Sequence, residues 1–256
     1  ALAALLRWFA GAGQATTVRI QTTLGVVDIQ LYDTAAPLTV ANFLNYVNSG
    51  AYNNSFIHRS VPGFIIQGGG YTWNDATNGV ASVSTAPPVA NEYSSSRSNL
   101  RGTIAMAKLG NDPNSATSQW FFNLANNSAN LDNQNGGFTV FGRVLGDGMS
   151  VVDRIAALPL ANAGGALTSL PLATTPTTSY LQKSYLVIID SASASAPATT
   201  DSDRVFSYLE AAYPQYLSPA KPLSPAASLS ASAAGYYYRY YPGTNAFIGT
   251  AEGTLY

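Results

Sequence analysis

Polar and apolar residues alternate along Val18–Tyr32 in two runs, VRIQT and GVVDIQLY, joined at Thr23-Leu24-Gly25. A period of two in adjacent short runs predicts a β-hairpin. The pattern then changes: Val40, Phe43, Leu44 and Val47 recur at helical spacing, so Pro37–Val47 reads as an amphipathic helix. Pro37 suits the first helical position, where its missing N–H costs nothing, and Gly50 suits the exit. This helix is expected to close one end of whatever the strands build.

Phe56–Gly70, FIHRSVPGFIIQGGG, reads as a strand, a Pro62-Gly63 corner, a second strand and a glycine exit. Strand geometry puts Ile57 and Arg59 on one face and Phe56 and His58 on the other; after the corner, Ile65 and Gln67 share a face. A guanidinium, a carboxamide and apolar side chains can therefore converge on one patch, the candidate active site. Tyr71–Ser98 is rich in Ser, Asn, Thr and Pro and reads as surface loop. Gly102–Ala107 and Gln119–Leu124 are apolar strands separated by a loop over Lys108–Ser118, and Gly137–Leu145 is another strand. Asp147–Leu158 is a second amphipathic helix, with Val151, Val152, Ile155 and Leu158 inward and Pro159 stopping it. Tyr185–Asp190 completes the sheet. About eight short strands, with two helices set between groups of them, favour a mainly β fold: a closed antiparallel barrel with helices plugging its ends, rather than βαβ units.

Beyond the barrel, Ser191–Asp203 is small and polar, a linker by composition, with residues 195–203 separating the two parts of the chain. Residues 204–256 form a small α+β appendage. Arg204–Tyr216 is a short helix stopped near Pro214, Lys221–Gly235 is Ser/Ala/Pro-rich, and GYYYRYYPGTNAFIGTAEGTLY is a β-hairpin around Pro242-Gly243-Thr244-Asn245. At roughly 50 residues the appendage is too small to be very stable alone, so it is expected to dock or to dimerise. Tyr236–Tyr241 offers contact area for a glycan or a protein.

Composition narrows the chemistry. The 256 residues suffice for one large domain plus the appendage, and a net charge of -1 with 10% charged residues carries no footprint for nucleic acid or anionic membrane. The chain has no Cys, which excludes disulfides, thiolate catalysis and Cys-based zinc sites and suits an exported protein; its single His removes most metal and triad arrangements. Residues 1–15, ALAALLRWFAGAGQA, read as the end of a secretory signal whose starting Met and basic region are missing, with small residues at Gly13-Gln14-Ala15 for cleavage; an amphipathic N-terminal helix is the alternative. No run approaches the ~20 apolar residues of a membrane span. Neither a P-loop, a dinucleotide fingerprint nor a zincin motif is present, and no cofactor or metal is implied.

Four motifs in order now carry a resemblance. From about residue 18 to 194 the chain resembles a cyclophilin, a peptidyl-prolyl cis–trans isomerase: FIHRSVPGFIIQGGG is similar to the family's most distinctive segment, followed by GTIAMA, SQWFF and FTVFGRV, and NLDNQNGGFTVFGRV is similar to bacterial members. The resemblance implies an eight-stranded barrel capped by two helices, with the site on the barrel's outer face. It implies that Arg59 is the catalytic arginine and Gln67 the residue that holds it. Phe64, Ile65, Phe121, Leu131 and Phe138 match the proline pocket, Ala107 and the backbone at Lys108 the edge that pairs with an extended substrate, and Gln119 the same rim. Implied partners are proline-containing peptides and unfolded protein clients, in an exported, periplasmic or secreted setting. The Tyr-rich tail resembles a C-terminal module of bacterial exported proteins.

Several positions depart from the family. Ile65 replaces a common Met, Phe138 stands where many members have His, Trp120 where Phe is commoner, and Lys108-Leu109 replaces Asn-Ala. Asn130 occupies the place of a Trp that contacts cyclosporin, so weak inhibition by that drug is expected. His58 faces away from Arg59 and reads as a satisfied structural histidine; Asp28 and Asp132 read as turn or surface residues, and Trp120, opposite Phe121, as core. Two functions are compatible with these residues: an isomerase acting on folding or exported clients, and a non-catalytic module that holds proline segments and is localised by its tail.

Overall fold

The computed structural model describes residues 15–195, 209, 213 and the strand residues between 229 and 255. The described residues fall into two compact units, one over Ala15–Ser195 and the other within residues 196–256.

The first unit opens with the expected hairpin, β1 (Thr17–Thr22) and β2 (Gly25–Leu31), paired from Thr17↔Gln30 to Thr22↔Gly25. Helix α1 (Pro37–Asn48) follows with Pro37 in its first turn, and it buries Thr39, Val40, Phe43, Tyr46 and Val47. Its free N-terminal amides are satisfied from far along the chain: the Glu92 carboxylate accepts from the N–H groups of Leu38 and Thr39 at 3.1 and 2.7 Å. Next come β3 (Ser55–Phe56), β4 (Arg59–Val61), β5 (Ile65–Gly68), β6 (Tyr71–Asn74), β7 (Gly79–Ser82), β8 (Thr103–Met106), β9 (Trp120–Asn123), the short α2 (Ser128–Leu131), β10 (Val140–Val144), α3 (Gly148–Ala156), β11 (Leu160–Ala161), β12 (Leu170–Pro171) and β13 (Ile188–Ser195).

One antiparallel sheet runs in the order β4-β5-β9-β8-β10-β2-β1-β13-β3-β6-β7. Its ends meet through the chain itself. β3 pairs with β13, β4 pairs with β5, and only Ile57 and His58 lie between them. Ile57 donates its N–H to Val187 on one side, and His58 donates to Gln67 on the other. Counting β3 and β4 as one interrupted strand gives an eight-stranded ring, from which the β6–β7 hairpin extends. Inside it lies one apolar cluster that includes Ile20, Ile29, Phe43, Tyr52, Ile66, Ile104, Trp120, Phe122 and Phe141, with α1 and α3 supplying residues at its ends.

Four expectations change. Tyr71–Ser98 is not all loop: residues 71–82 are the β6–β7 hairpin, in which Trp73 alone is deeply buried. Ser191–Ser195, which composition assigns to a linker, is strand, paired with β1 as far as Thr17↔Ser195. Ile57 does not share the face of Arg59. The strand breaks at residues 57–58 as the chain passes from one neighbour to the other, and Ile57 joins the barrel interior while Arg59 stays outside. Besides the two expected helices there is α2, a single turn.

In the second unit, β14 (Leu229–Ala233), β15 (Tyr236–Tyr241), β16 (Ala246–Ala251) and β17 (Thr254–Leu255) form an antiparallel sheet in chain order. Tyr241↔Ala246 closes the expected hairpin around residues 242–245, and β14 arises in the Ser/Ala-rich stretch before it. Residues 1–14, the linker from 196 to 203 and nearly all of Arg204–Tyr216 lie outside the described residues. No helix among the described residues is long and apolar enough to cross a membrane.

Candidate active site

Four neighbouring strands present the site. Arg59 on β4 pairs with Gln67 on β5, which pairs with Phe121 on β9, which pairs with Ala105 on β8. Alternation then sends Ile66 and Phe122 into the barrel and leaves Ile65, Gln67 and Phe121 on the outer surface. There Ile65, Ala105, Phe121, Leu131 and Val140 form a second buried cluster, flanked by Phe64, Ala107 and Phe138. Above it opens a hollow of ≈ 330 Å³ lined by Arg59, Gln67, the five residues expected to form a proline pocket, Ala107, Lys108, Asn130 and Gln134. Phe121 and Phe138 meet edge to face at 5.8 Å between ring centres.

Arg59 is half-buried and belongs to none of the ion pairs among the described residues. Its Nη1 donates to Gln67 Oε1 at 3.2 Å, and Gln67 Nε2 donates onward to Gln119 Oε1 at 2.8 Å. Gln119 therefore stands behind Gln67 rather than on the lining of the hollow. Ala107 donates its N–H to the Gln119 carbonyl at 2.9 Å, which ties β8's end to the same chain of contacts. The three glycines after Gln67 let the strand press against these residues. A Cβ on Gly69, whose φ is +78°, would strike the Ser118 carbonyl, and one on Gly70 would sit 2.9 Å from the Gln119 amide carbon.

His58, buried at 3% exposure, lies edge-on to Tyr71 at 5.1 Å. Burial, with the Arg59 charge a smaller cause, lowers its pKa to about 4. Hydrogen bonding to the Gln119 side chain and the Phe56 backbone opposes that shift, as expected of a structural histidine, although by strict geometry Nδ1 makes no hydrogen bond. Trp120 is fully buried in the barrel. Asp28 is a surface residue whose carboxyl is held below its ordinary pKa by hydrogen bonding to Arg19.

Behind the hollow lies an amide network that sequence reading passes over. Asn99 and Asn123 are fully buried. Asn127 Nδ2 donates to the Phe64 carbonyl at 2.8 Å and to Asn123 Oδ1 at 2.7 Å; Asn99 Nδ2 donates to the Phe138 carbonyl at 3.1 Å and to Asp132 Oδ1 at 2.8 Å. Two walls of the hollow are thus tied to one polar scaffold, and Asp132 serves that scaffold. The run of Asn residues from 123 to 133 was the available signal. Lys108 adds a side chain to the hollow as well as its backbone: its Nζ donates to the carbonyls of Asn135 and Gly137 at 2.7 and 2.6 Å and lies 4.7 Å from the Phe138 ring centre. Among the described residues no group of three or more His, Cys, Asp or Glu could hold a metal ion.

A family model described as cyclophilin type peptidyl-prolyl cis-trans isomerase/CLD matches residues 17–175. The chain is 44% identical over 150 residues to a peptidyl-prolyl cis-trans isomerase of Acinetobacter baylyi, covering 58% of this chain and 76% of that protein. It is 39% identical over 151 residues to peptidyl-prolyl cis-trans isomerase B of Escherichia coli, covering 57% and 88%. A crystal structure of a Cryptosporidium parvum cyclophilin type peptidyl-prolyl cis-trans isomerase, obtained in the presence of the dipeptide Ala-Pro, matches with a TM-score of 0.52 at 25% identity, covering 70% of this chain and 98% of that one.

Proposed function

The chain belongs to the cyclophilin-type peptidyl-prolyl cis–trans isomerases, and we propose that Arg59 is the group through which it loosens the X–Pro bond. The prolyl amide resists rotation because its nitrogen shares a lone pair with the carbonyl, a barrier of about 18–20 kcal/mol. Uncatalysed rotation takes roughly tens to hundreds of seconds. Roughly a thousand turnovers per second would therefore need about five powers of ten, near 7 kcal/mol. No bond to carbon breaks. The requirements are a donor aimed at the nitrogen as it pyramidalises, a seat for the ring, and tighter binding of the twisted amide than of either planar form.

The observation that carries this reading is an arginine that pairs with no carboxylate among the described residues, beside a hollow that opens over an apolar cluster. Arginine stays protonated at any working pH and its fork can donate to the lone pair. Gln67 holds one end of that fork, with Gln119 positioning Gln67. Phe64, Ile65, Phe121, Leu131 and Phe138 seat the ring, and the backbone at Ala107 and Lys108 aligns the substrate chain. The dipeptide Ala-Pro, in whose presence the Cryptosporidium parvum crystal structure was obtained, is the kind of ligand this hollow would take. Arg59→Ala should lower kcat/KM for a proline peptide about 10²- to 10³-fold, the usual cost of removing a transition-state donor, in a protease-coupled assay. Equal rates for wild type and variant, both at background, would leave the alternative of a proline-segment binding module.

We further propose that the protein works outside the cytoplasm, as a periplasmic or secreted isomerase of folding clients. The lack of Cys and the apolar run with small residues over 1–15 support this. The second unit would supply a glycan or protein contact through Tyr236–Tyr241. Fractionation of producing cells tests the location, and recovery of the mature chain only from the cytoplasm would rule it out.

A further inference from the structure

Electrically, the hollow is one-sided. Among the described residues two cations line it, Arg59 and Lys108, and no carboxylate does. The three ion pairs among the described residues are Arg19–Asp28, Arg101–Asp153 and Lys183–Asp75, so neither lining cation is neutralised by one. Asp132 is turned back to Asn99, and Asp112, the carboxylate that acts on Lys108 through space, accepts the Asn114 N–H instead.

Lys108 is also held still. Two of its three ammonium protons go to the carbonyls of Asn135 and Gly137, and the Phe138 ring lies under it. Lysine normally gives up much side-chain freedom when it binds; here that freedom is already spent within the protein, and one donor remains to face a ligand. The position separates it from Arg59. Arg59, Gln67, Phe121 and Ala105 are in register across four strands, and Lys108 follows the last of these by three residues. Three strand spacings put Ala105 about 14 Å from Arg59, roughly four residues of extended peptide, and Lys108, just beyond it, lines the same hollow as Arg59. Lys108 is thus placed to meet a neighbouring side chain of the substrate while Arg59 meets the prolyl nitrogen.

We propose that Lys108 is a specificity-determining residue, and that the enzyme prefers prolines with a glutamate or aspartate within about four residues. This rests on the isomerase reading above. The protein's net charge of -1 supplies no long-range attraction for acidic chains, so the preference is a local contact between the fixed ammonium and one carboxylate.

The test uses the full chain and peptides in which one position, from four before to four after the proline, is Glu, Gln or Lys. Rates are measured by NMR exchange at about 0.15 M salt. At one position or more, Glu should exceed its isostere Gln about three- to tenfold in kcat/KM, with Lys below both. Lys108→Met should bring the Glu/Gln ratio to within about 1.5-fold, and Lys108→Arg should retain it. No position with a Glu advantage, in an enzyme that turns over the Gln peptides, overturns the assignment and leaves the isomerase reading intact. A Glu advantage that persists in Lys108→Met overturns it too. Gln peptides at background would instead remove the isomerase reading and this inference with it.

Discussion

His58 sits next to the arginine on which the chemistry depends, and burial settles what it can do there. With a pKa near 4 it is neutral from about pH 5 to 8, and Arg59 does not titrate in that range. The rate of isomerisation should therefore be flat across that interval, in a pH series of kcat/KM; a step near 6.5 that vanishes in His58→Gln would contradict this. Stability should not be flat. The unfolded histidine takes up a proton near pH 6.5, while the folded one refuses it until about 4. As pH falls between these values the unfolded state gains protons and the fold loses up to about 3 kcal/mol. Wild type should lose more melting temperature between pH 7 and 4.5 than His58→Gln does. At this scale the sequence brought Arg59 and Gln67 together because the Pro62-Gly63 corner folds one strand of a short motif back on the next, even though alternation breaks at Ile57. It could not reveal the contact of His58 with Gln119, nor the Lys108 side chain, whose carbonyl partners come from residues 135 and 137 and are brought close only by the fold.

Among the elements, those with a strong period were legible. Helices α1 and α3 follow from apolar spacing, and their buried faces hold Val40, Phe43 and Val47 in one and Val151, Val152 and Ile155 in the other. Strands without a large apolar face were not. The β6–β7 hairpin carries its burial on Trp73, and the outer half of β13 reads Ser-Ala-Ser-Ala-Ser, with Ala192 the sole buried residue after Ile189. Small side chains suit a site where another backbone lies close, but they look like linker when read alone. The glycine run at 68–70 was legible as a turn; its closeness to Trp120, Ser118 and Gln119 was not. Gly69→Ala should cost at least about 3 kcal/mol, combining a left-handed backbone with a blocked carbonyl. Chemical denaturation would show it as a fall in midpoint, and a variant within about 1 kcal/mol of wild type would contradict the packing described.

On the scale of the whole molecule, closure of the ring depends on partners far apart in the chain. The barrel was expected from strand count and helix placement, yet its seam was not. That seam is the two-residue break at Ile57–His58, where one strand serves two neighbours. The interruption also turns Arg59 outward while Ile57 stays within, so the same defect closes the ring and exposes the guanidinium. The first and last strands of the unit lie side by side, down to the pairing of Thr17 with Ser195. Where the ends of a compact unit adjoin, its order of reading along the gene is optional. A circular permutant that joins Ser195 to Thr17 through a few glycines, and opens at the exposed Gly164-Gly165 turn, should fold and keep its isomerase rate within about threefold, because every strand pair survives the rewiring. Its refolding speed should differ from that of the parent, since β1 and β13 become local partners and the loop that must close between them all but disappears.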